Sequence, residues 1–177
     1  AVRDGLGEAF DKGLTDPEVK AMVLMGGGRT FIAGADIREF GQPPRGKPLQ
    51  EILYSMENSD KIIVAAIHGT ALGGGLEVTL CCHYRFAVPN SMVGLPEVKL
   101  GLIPGAGGTQ RLPRLVGATK ALDLITSGDF VPAPKALELG IVDEIGYDLL
   151  EDSVAYAQKL VAEDAPLRKI RDMSCKT

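Results

Sequence analysis

Apolar residues along the chain follow two different spacings, and the alternation between them predicts an α/β fold. In residues 2–10, 49–58 and 148–163 the apolar side chains return every three or four positions, as on one face of a helix. Residues 20–25 and 61–67 are instead short runs that are apolar on both faces, which is typical of strands buried inside a parallel sheet. Helices and buried strands are therefore expected to alternate along the chain.

The middle of the chain carries a strand–helix–strand unit. The apolar run 61–67 is followed by HGTALGGG, by a helical stretch over residues 74–82 and by a second apolar run over residues 84–88. A connection of this kind joins parallel strands. After it, the pattern predicts a helix around Leu112, helices over residues 118–127 and 134–139, and a short strand over residues 141–145.

Composition and charge narrow the class of protein. A chain of 177 residues with 45% hydrophobic and 24% charged residues fits one globular domain with a sizeable core. The net charge is -4 and Lys and Arg form no run, so nothing points to nucleic acid as a partner. The three cysteines are odd in number and show no CxxC spacing, which indicates free thiols in a reducing compartment. No apolar run approaches the ~20 residues of a membrane helix, and the first residues do not have the charged and apolar pattern of a signal peptide.

Several familiar catalytic motifs are missing from the sequence. No GxSxG elbow and no HExxH pair occurs, and His68 and His83 have no partners at metal-ligand spacing. The run GAGGTQ at residues 105–110 lacks both the lysine of a phosphate-binding P-loop and the last glycine of a dinucleotide fingerprint. The neighbouring Cys81, Cys82 and His83 are expected to pack the end of a helix into the core.

A glycine run opens the helix predicted over residues 74–82, and an acid follows within its first turn. Free N–H groups at a helix start suit a carbonyl oxygen that gains negative charge during a reaction. Glu77, three residues after Gly74, would project its carboxylate back toward that site, because helical side chains lean toward the N-terminus. The alternative is an ordinary first-turn acid that stabilises the helix by ~0.3–1 kcal/mol.

A second acid follows a proline in the segment MVGLPE. Pro96 fixes its own φ and restricts Leu95, so Glu97 is presented from a stiff turn. The alternative is a solvated loop acid, since most glutamates are exposed. Glu97 lies twenty residues after Glu77, and the two acids meet only if the Pro-Glu loop folds over the start of the helix.

A third segment, FIAGADIR at residues 31–38, combines small residues with charges. Gly34 permits a sharp turn, and the N–H of Ala35 is a candidate second donor to a substrate oxygen. Arg38 offers positive charge to a phosphate. A plainer interpretation, compatible with this one, is a loop in which Asp36 caps the next helix.

Taken together, four segments resemble the crotonase superfamily, the enoyl-CoA hydratase/isomerase superfamily. They are AGADI at residues 33–37, AIHGTALGGGLE at 66–77, VGLPEVKLGLIPGAGGTQRL at 93–112 and ALDLITSG at 121–128. The segments LCCHYRFA, VGLPEV and RLPRLVG are closer to the hydratase half of bifunctional enoyl-CoA hydratase/3-hydroxyacyl-CoA dehydrogenases. The resemblance implies a ClpP/crotonase-like α/β fold, a spiral of β-β-α units arranged as two near-perpendicular sheets, truncated at the N-terminus and at the C-terminus.

The resemblance also implies roles for individual residues. The two catalytic acids are expected at Glu77 and Glu97, and the two oxyanion-hole N–H groups at Ala35 and Gly74. The coenzyme A moiety is expected against Ala33, Asp36, Ile37 and Arg38. No metal and no cofactor is implied, because coenzyme A enters as part of the substrate.

The activity implied by the resemblance is that of an enoyl-CoA hydratase, a hydro-lyase that adds water syn to trans-2-enoyl-CoA thioesters in fatty-acid β-oxidation. The nearest alternative is a Δ3,Δ2-enoyl-CoA isomerase, which needs only the acid at the position of Glu97. An alternative of another class is a catalytically inert module that binds acyl-CoA or protein. The intact pair of acids favours the hydratase.

The resemblance and the polar end of the chain predict a hydratase domain over residues 1–163 and a polar tail, or the start of a linker, over residues 164–177. The expected partner is an acyl-CoA or enoyl-CoA substrate, with no nucleic acid and no membrane. A homo-oligomer and an attached dehydrogenase domain both stay open. The expected compartment is the cytoplasm in a bacterium, and the peroxisome or mitochondrial matrix in a eukaryote.

Overall fold

Helices account for most of the regular structure in residues 2–35 and 47–175, which a computed structural model describes. The α-helices in these residues are α1 (Val2–Thr15), α2 (Leu49–Glu57), α3 (Gly74–Leu80), α4 (Gly108–Val116), α5 (Ala118–Ser127), α6 (Ala133–Glu138) and α7 (Leu149–Ala162). In the same residues, short 3-10 helices cover Pro96–Leu100 and Ile170–Asp172. Within the described residues, no helix combines the length and apolarity needed to cross a bilayer. The short helix predicted after Asp36 lies outside them.

The strands form two sheets. They are β1 (Ala21–Met25), β2 (Ile62–Ile67), β3 (Thr70–Leu72), β4 (Tyr84–Ala87), β5 (Met92–Gly94), β6 (Val131–Pro132) and β7 (Glu144–Ile145). One sheet has the order β1-β2-β4-β7 with every neighbouring pair parallel. The other has the order β3-β5-β6, in which β3 and β5 are parallel and β5 and β6 antiparallel. The expected α/β class with a parallel sheet is confirmed.

Strand β2 is the centre of the first sheet. All of its residues are buried, as the continuous apolar run predicts. Val64 lies opposite Val23 of β1 on one side and opposite Tyr84 of β4 on the other. Helix α7 covers this sheet, and its Tyr156 meets the Tyr84 ring edge-on with centroids 6.3 Å apart. Strands β2 and β4 are parallel as predicted, and the connection between them contains α3 and also the unpredicted strand β3 of the second sheet.

The residues after α3 pack into the core, which confirms the expectation for Cys81, Cys82 and His83. All three are buried. The Nδ1 atom of His83 accepts a hydrogen bond of 3.0 Å from the N–H of Ile63. Burial lowers the pKa of His83 to about 4, so the imidazole is neutral near pH 7.

Two local predictions differ from the structure. The strand predicted over residues 141–145 is shorter, because the N–H groups of Ile141 and Val142 turn back to the carbonyl of Ala136 at 2.8 and 3.2 Å and close α6. The resemblance implies a second sheet, but the spacing of apolar residues does not predict its strands. Its strands are two or three residues long, which is too short for an alternating pattern to be recognised.

The chain after α7 stays in contact with the rest of the molecule. Pro166 accepts a hydrogen bond of 2.8 Å from the Tyr84 hydroxyl, and Ile170 is 1% exposed. The short helix Ile170–Asp172 packs against α4. The predicted division at residue 163 between a domain and a tail stays a prediction. The contacts described here show that residues after 163 also contribute to the core.

Candidate active site

Glu77 is held inside the molecule by backbone amides. Strand β3 ends at Leu72, and Gly73, at φ 53°, turns the chain into α3. This places Glu77 in the first turn of the helix with an exposure of 2%. Its Oε1 atom accepts hydrogen bonds from the N–H groups of Ala106 at 2.7 Å and Gly108 at 2.8 Å. Glu77 is therefore a buried, oriented acid and not a solvated first-turn residue.

Glu97 reaches the same helix start because two strands of the second sheet run in parallel. Leu72 of β3 lies opposite Gly94 of β5, so the chain leaves both strands at the same end of the sheet. A methyl group placed on Gly73 would lie 3.1 Å from Oε1 of Glu97. The Pro-Glu loop thus folds over the start of α3, which is the condition for the two acids to meet.

The environment of Glu97 favours its protonated form. Burial raises the pKa of the Glu97 carboxyl, the negative charge of Glu77 raises it further, and the hydrogen bond from its own amide N–H opposes these effects. Its Oε2 atom is buried and has no hydrogen-bond partner among the described residues. A carboxyl group in this state can donate a proton at a pH where an ordinary glutamate has already lost it.

Residues 32–34 lie beside the start of α3. Ile32 pairs with Ala71 in a parallel bridge, and the N–H of Leu72 donates to the Ile32 carbonyl at 3.0 Å. Two residues further on, Gly34 has a φ of 134°, a conformation that favours glycine. Residues 33–35 therefore leave the bridge beside the start of α3. Neither the N–H of Ala35 nor that of Gly74 has a hydrogen-bond acceptor among the described residues.

The predicted coenzyme A residues are described only in part. Ala33 and Ala35 are exposed, whereas Asp36, Ile37 and Arg38 lie outside the described residues. Within the ranges 2–35 and 47–175, no three His, Cys, Asp or Glu side chains are grouped so that they could hold a metal ion. The two carboxyls of Glu77 and Glu97 lie at one helix start, whereas the roles of the Ala35 and Gly74 amides stay a prediction.

Sequence reasoning missed the groups that hold Glu77. In the sequence, the run GAGGTQ is an incomplete phosphate-binding or dinucleotide motif and part of the segment 93–112 that resembles the superfamily. Nothing in it predicts that the Ala106 and Gly108 amides bind a carboxylate. Glu57, an acid buried at the end of α2, was also missed. A glycine-rich segment next to a helix start is a signal for any anion, including a side chain of the same protein.

Comparison with known proteins gives one consistent family. The family model described as enoyl-CoA hydratase/isomerase matches residues 1–173. The peroxisomal bifunctional enzyme of Danio rerio is 47% identical over 171 residues, which cover 96% of this chain and 24% of that enzyme. A probable enoyl-CoA hydratase of Bacillus subtilis is 43% identical over 178 residues, covering 93% of this chain and 67% of that protein.

A solved structure agrees with the sequence comparison. The crystal structure of an enoyl-CoA hydratase from Mycobacterium tuberculosis superposes with a TM-score of 0.83 at 35% identity. The alignment covers 92% of this chain and 66% of that one. The chain therefore spans about a quarter of the length of the Danio rerio enzyme and about two thirds of the length of the bacterial hydratases.

Proposed function

The chain belongs to the enoyl-CoA hydratase/isomerase family, and we propose that it is a hydratase that adds water across the double bond of trans-2-enoyl-CoA thioesters. The observation that supports this most is the placement of Glu77 and Glu97 at one helix start. A methyl group on Gly73 would lie 3.1 Å from Oε1 of Glu97, and Glu77 lies in the first turn of the helix that follows Gly73. Hydration needs two such groups, because water must lose one proton while the substrate gains another.

The thioester oxygen binds to the N–H groups of Ala35 and Gly74 in this mechanism. When water attacks the β-carbon, the electron pair of the double bond moves toward the carbonyl and the oxygen becomes enolate-like. Two preorganised donors stabilise that charge, and one donor of this kind is typically worth ~2.7–4 kcal/mol in the transition state. A methyl group on Gly74 would meet no atom within 4 Å, which leaves space for the ligand at this donor.

The two acids divide the proton transfers between them. Glu77 holds the water and takes its proton as the C–O bond forms at the β-carbon. Only Oε1 of Glu77 is hydrogen-bonded among the described residues, which leaves Oε2 for the water. Glu97, protonated because its pKa is raised, gives its proton to the α-carbon. Transfer of a proton from Glu77 to Glu97 restores the starting state.

Substrate and assembly follow the family in this proposal. Coenzyme A is bound by Ala33, Asp36, Ile37 and Arg38. We propose as its partner either further copies of the chain in a homo-oligomer or a dehydrogenase domain on the same polypeptide, as in bifunctional enzymes. The isomerase alternative needs Glu97 alone, and the buried, doubly hydrogen-bonded Glu77 is the feature that favours hydration over isomerisation.

The test is the variant Glu97→Gln with crotonyl-CoA as substrate. We expect kcat for hydration to fall by at least about 100-fold, the usual contribution of a general acid, while the dissociation constant of a saturated acyl-CoA changes little. The matched control is Glu138→Gln, which removes an exposed acid that pairs with Lys135 on the surface of α6. Undiminished turnover by Glu97→Gln rejects the assignment. Acyl-CoA binding by the unaltered chain without any hydration points to the inert module.

A further inference from the structure

A buried ion pair lies behind the loop that holds Glu77. The guanidinium of Arg111 on α4 binds both carboxylate oxygens of Glu57, with Nε to Oε1 at 2.9 Å and Nη2 to Oε2 at 2.8 Å. The Glu57 side chain is 1% exposed and that of Arg111 is 13% exposed. Neither residue belongs to the reacting groups proposed above.

The third donor of Arg111 points at the loop of residues 105–108. Its Nη1 donates to the carbonyl of Ala106 at 3.2 Å. A methyl group on Gly107, which has a φ of 97°, would lie only 2.1 Å from the same nitrogen. The loop backbone therefore lies directly against the guanidinium, and glycine at position 107 permits this approach.

Ala106 is thus held at both of its main-chain polar groups. Its N–H donates to Oε1 of Glu77 at 2.7 Å, and its carbonyl accepts from Arg111. We infer that Arg111 is a positioning residue, which together with Glu57 fixes the loop of residues 105–108 so that its amides orient Glu77. The inference rests on the proposed function, because orienting Glu77 matters through the hydration reaction.

Stability alone is a weak explanation for this pair. Buried ion pairs are often no more stable than apolar residues of similar size, because both charges lose their hydration. Arg111 makes use of the fixed fork of its side chain, binding a carboxylate with two donors and a carbonyl with a third, and lysine cannot reproduce this geometry. Hydrogen bonding to Glu57 raises the pKa of Arg111 most, burial opposes this effect, and the charge of Glu77 adds a smaller increase.

The test uses the variant Arg111→Lys, which keeps the charge and loses the fork. We expect kcat for crotonyl-CoA hydration to fall by about 10- to 100-fold, as for other misplaced catalytic groups, with KM almost unchanged. Hydrogen–deuterium exchange at the Ala106 and Gly108 amides should become at least about ten-fold faster, because the guanidinium no longer holds the loop that carries them. Glu57→Gln weakens the ion pair that holds Arg111, so it should likewise lower kcat and speed the exchange of both amides.

The matched control is Arg114→Lys, the same substitution one turn further along α4, where the arginine donates to the Gln110 carbonyl instead. It should leave kcat and the exchange of both amides unchanged. Wild-type kcat and wild-type exchange in Arg111→Lys overturn the inference. If the unaltered chain hydrates no crotonyl-CoA, the proposed function fails, and the exchange rates alone then decide whether Arg111 holds the loop.

Discussion

Glu77 and Glu97 are chemically the same residue in two different settings. One oxygen of Glu77 accepts two amide hydrogen bonds. Glu97 has a buried oxygen without a partner among the described residues, and burial raises its pKa. Two acids whose surroundings differ in this way are suited to different steps of one reaction.

The raised pKa of Glu97 predicts a pH dependence of stability. Because the folded state binds this proton more tightly than the unfolded state, the free energy of unfolding falls as the pH rises from the ordinary carboxyl range through the raised pKa. The glutamine in Glu97→Gln cannot ionise. The free energy of unfolding of this variant, relative to that of the unaltered protein, should therefore increase as the pH rises through this range. Urea unfolding at a series of pH values measures the difference, with Glu138→Gln as the exposed control. A difference that is flat with pH contradicts the raised pKa.

At the scale of residues, the sequence indicates which side chains are candidates for the site better than it indicates which groups bind them. Glu77 and Glu97 are recognisable as candidates because a carboxylate after a glycine run or a proline is visible in a sequence, whereas the resemblance alone implies their catalytic roles. The amides of Ala106 and Gly108 were not, because every residue except proline carries an N–H, and only the fold decides which of them point at a carboxylate.

At the scale of elements, the parallel pair β3 and β5 places both acids. The register of this pair brings the C-terminal ends of both strands together. It is set by three residue pairs: Thr70 with Met92, Ala71 with Val93, and Leu72 with Gly94. Ile32 extends the same sheet by its bridge to Ala71. The long helices and strand β2 were predictable from hydrophobic spacing, whereas this pair was not, because its pairing depends on contacts between segments distant in sequence.

The start of α3 contains two adjacent glycines with different surroundings. A methyl group on Gly75 would lie 2.1 Å from the Ile32 carbonyl oxygen, whereas one on Gly74 would meet nothing within 4 Å. We expect Gly75→Ala to lower the free energy of unfolding by about 1–3 kcal/mol, because the bridge must move away from the helix. Gly74→Ala should change it by less than about 1 kcal/mol. Denaturant unfolding compares them, and equal stabilities contradict the close packing of Gly75.

At the scale of the whole molecule, the last described residues connect distant parts of the fold. Arg168 pairs with Asp143, which also binds the fully buried Arg85. Arg171 lies 3.4 Å from the Glu57 carboxylate and donates to Asn58 at 2.6 Å. The polar composition of this segment suggested a tail, because a single apolar residue among charges does not reveal that it is buried.

Ile170 provides a direct test of how much this segment contributes. It is 1% exposed, so Ile170→Ala should lower the free energy of unfolding by about 2–5 kcal/mol, the usual cost of truncating a buried aliphatic side chain. Leu167→Ala, in the same segment but 38% exposed, is the control and should cost clearly less. Equal, small effects of the two variants on urea unfolding contradict a structural role and favour a detached tail.

The account as a whole depends on Glu77 and Glu97 acting on one thioester, and a double-variant cycle measures this directly. The kcat for crotonyl-CoA hydration is compared among the unaltered chain, Glu77→Gln, Glu97→Gln and the double variant. Groups that act as a unit are not additive, so we expect the double variant to be hardly slower than the slower single variant. A double variant whose loss equals the product of the two single losses, or a single variant with full activity, contradicts the shared site.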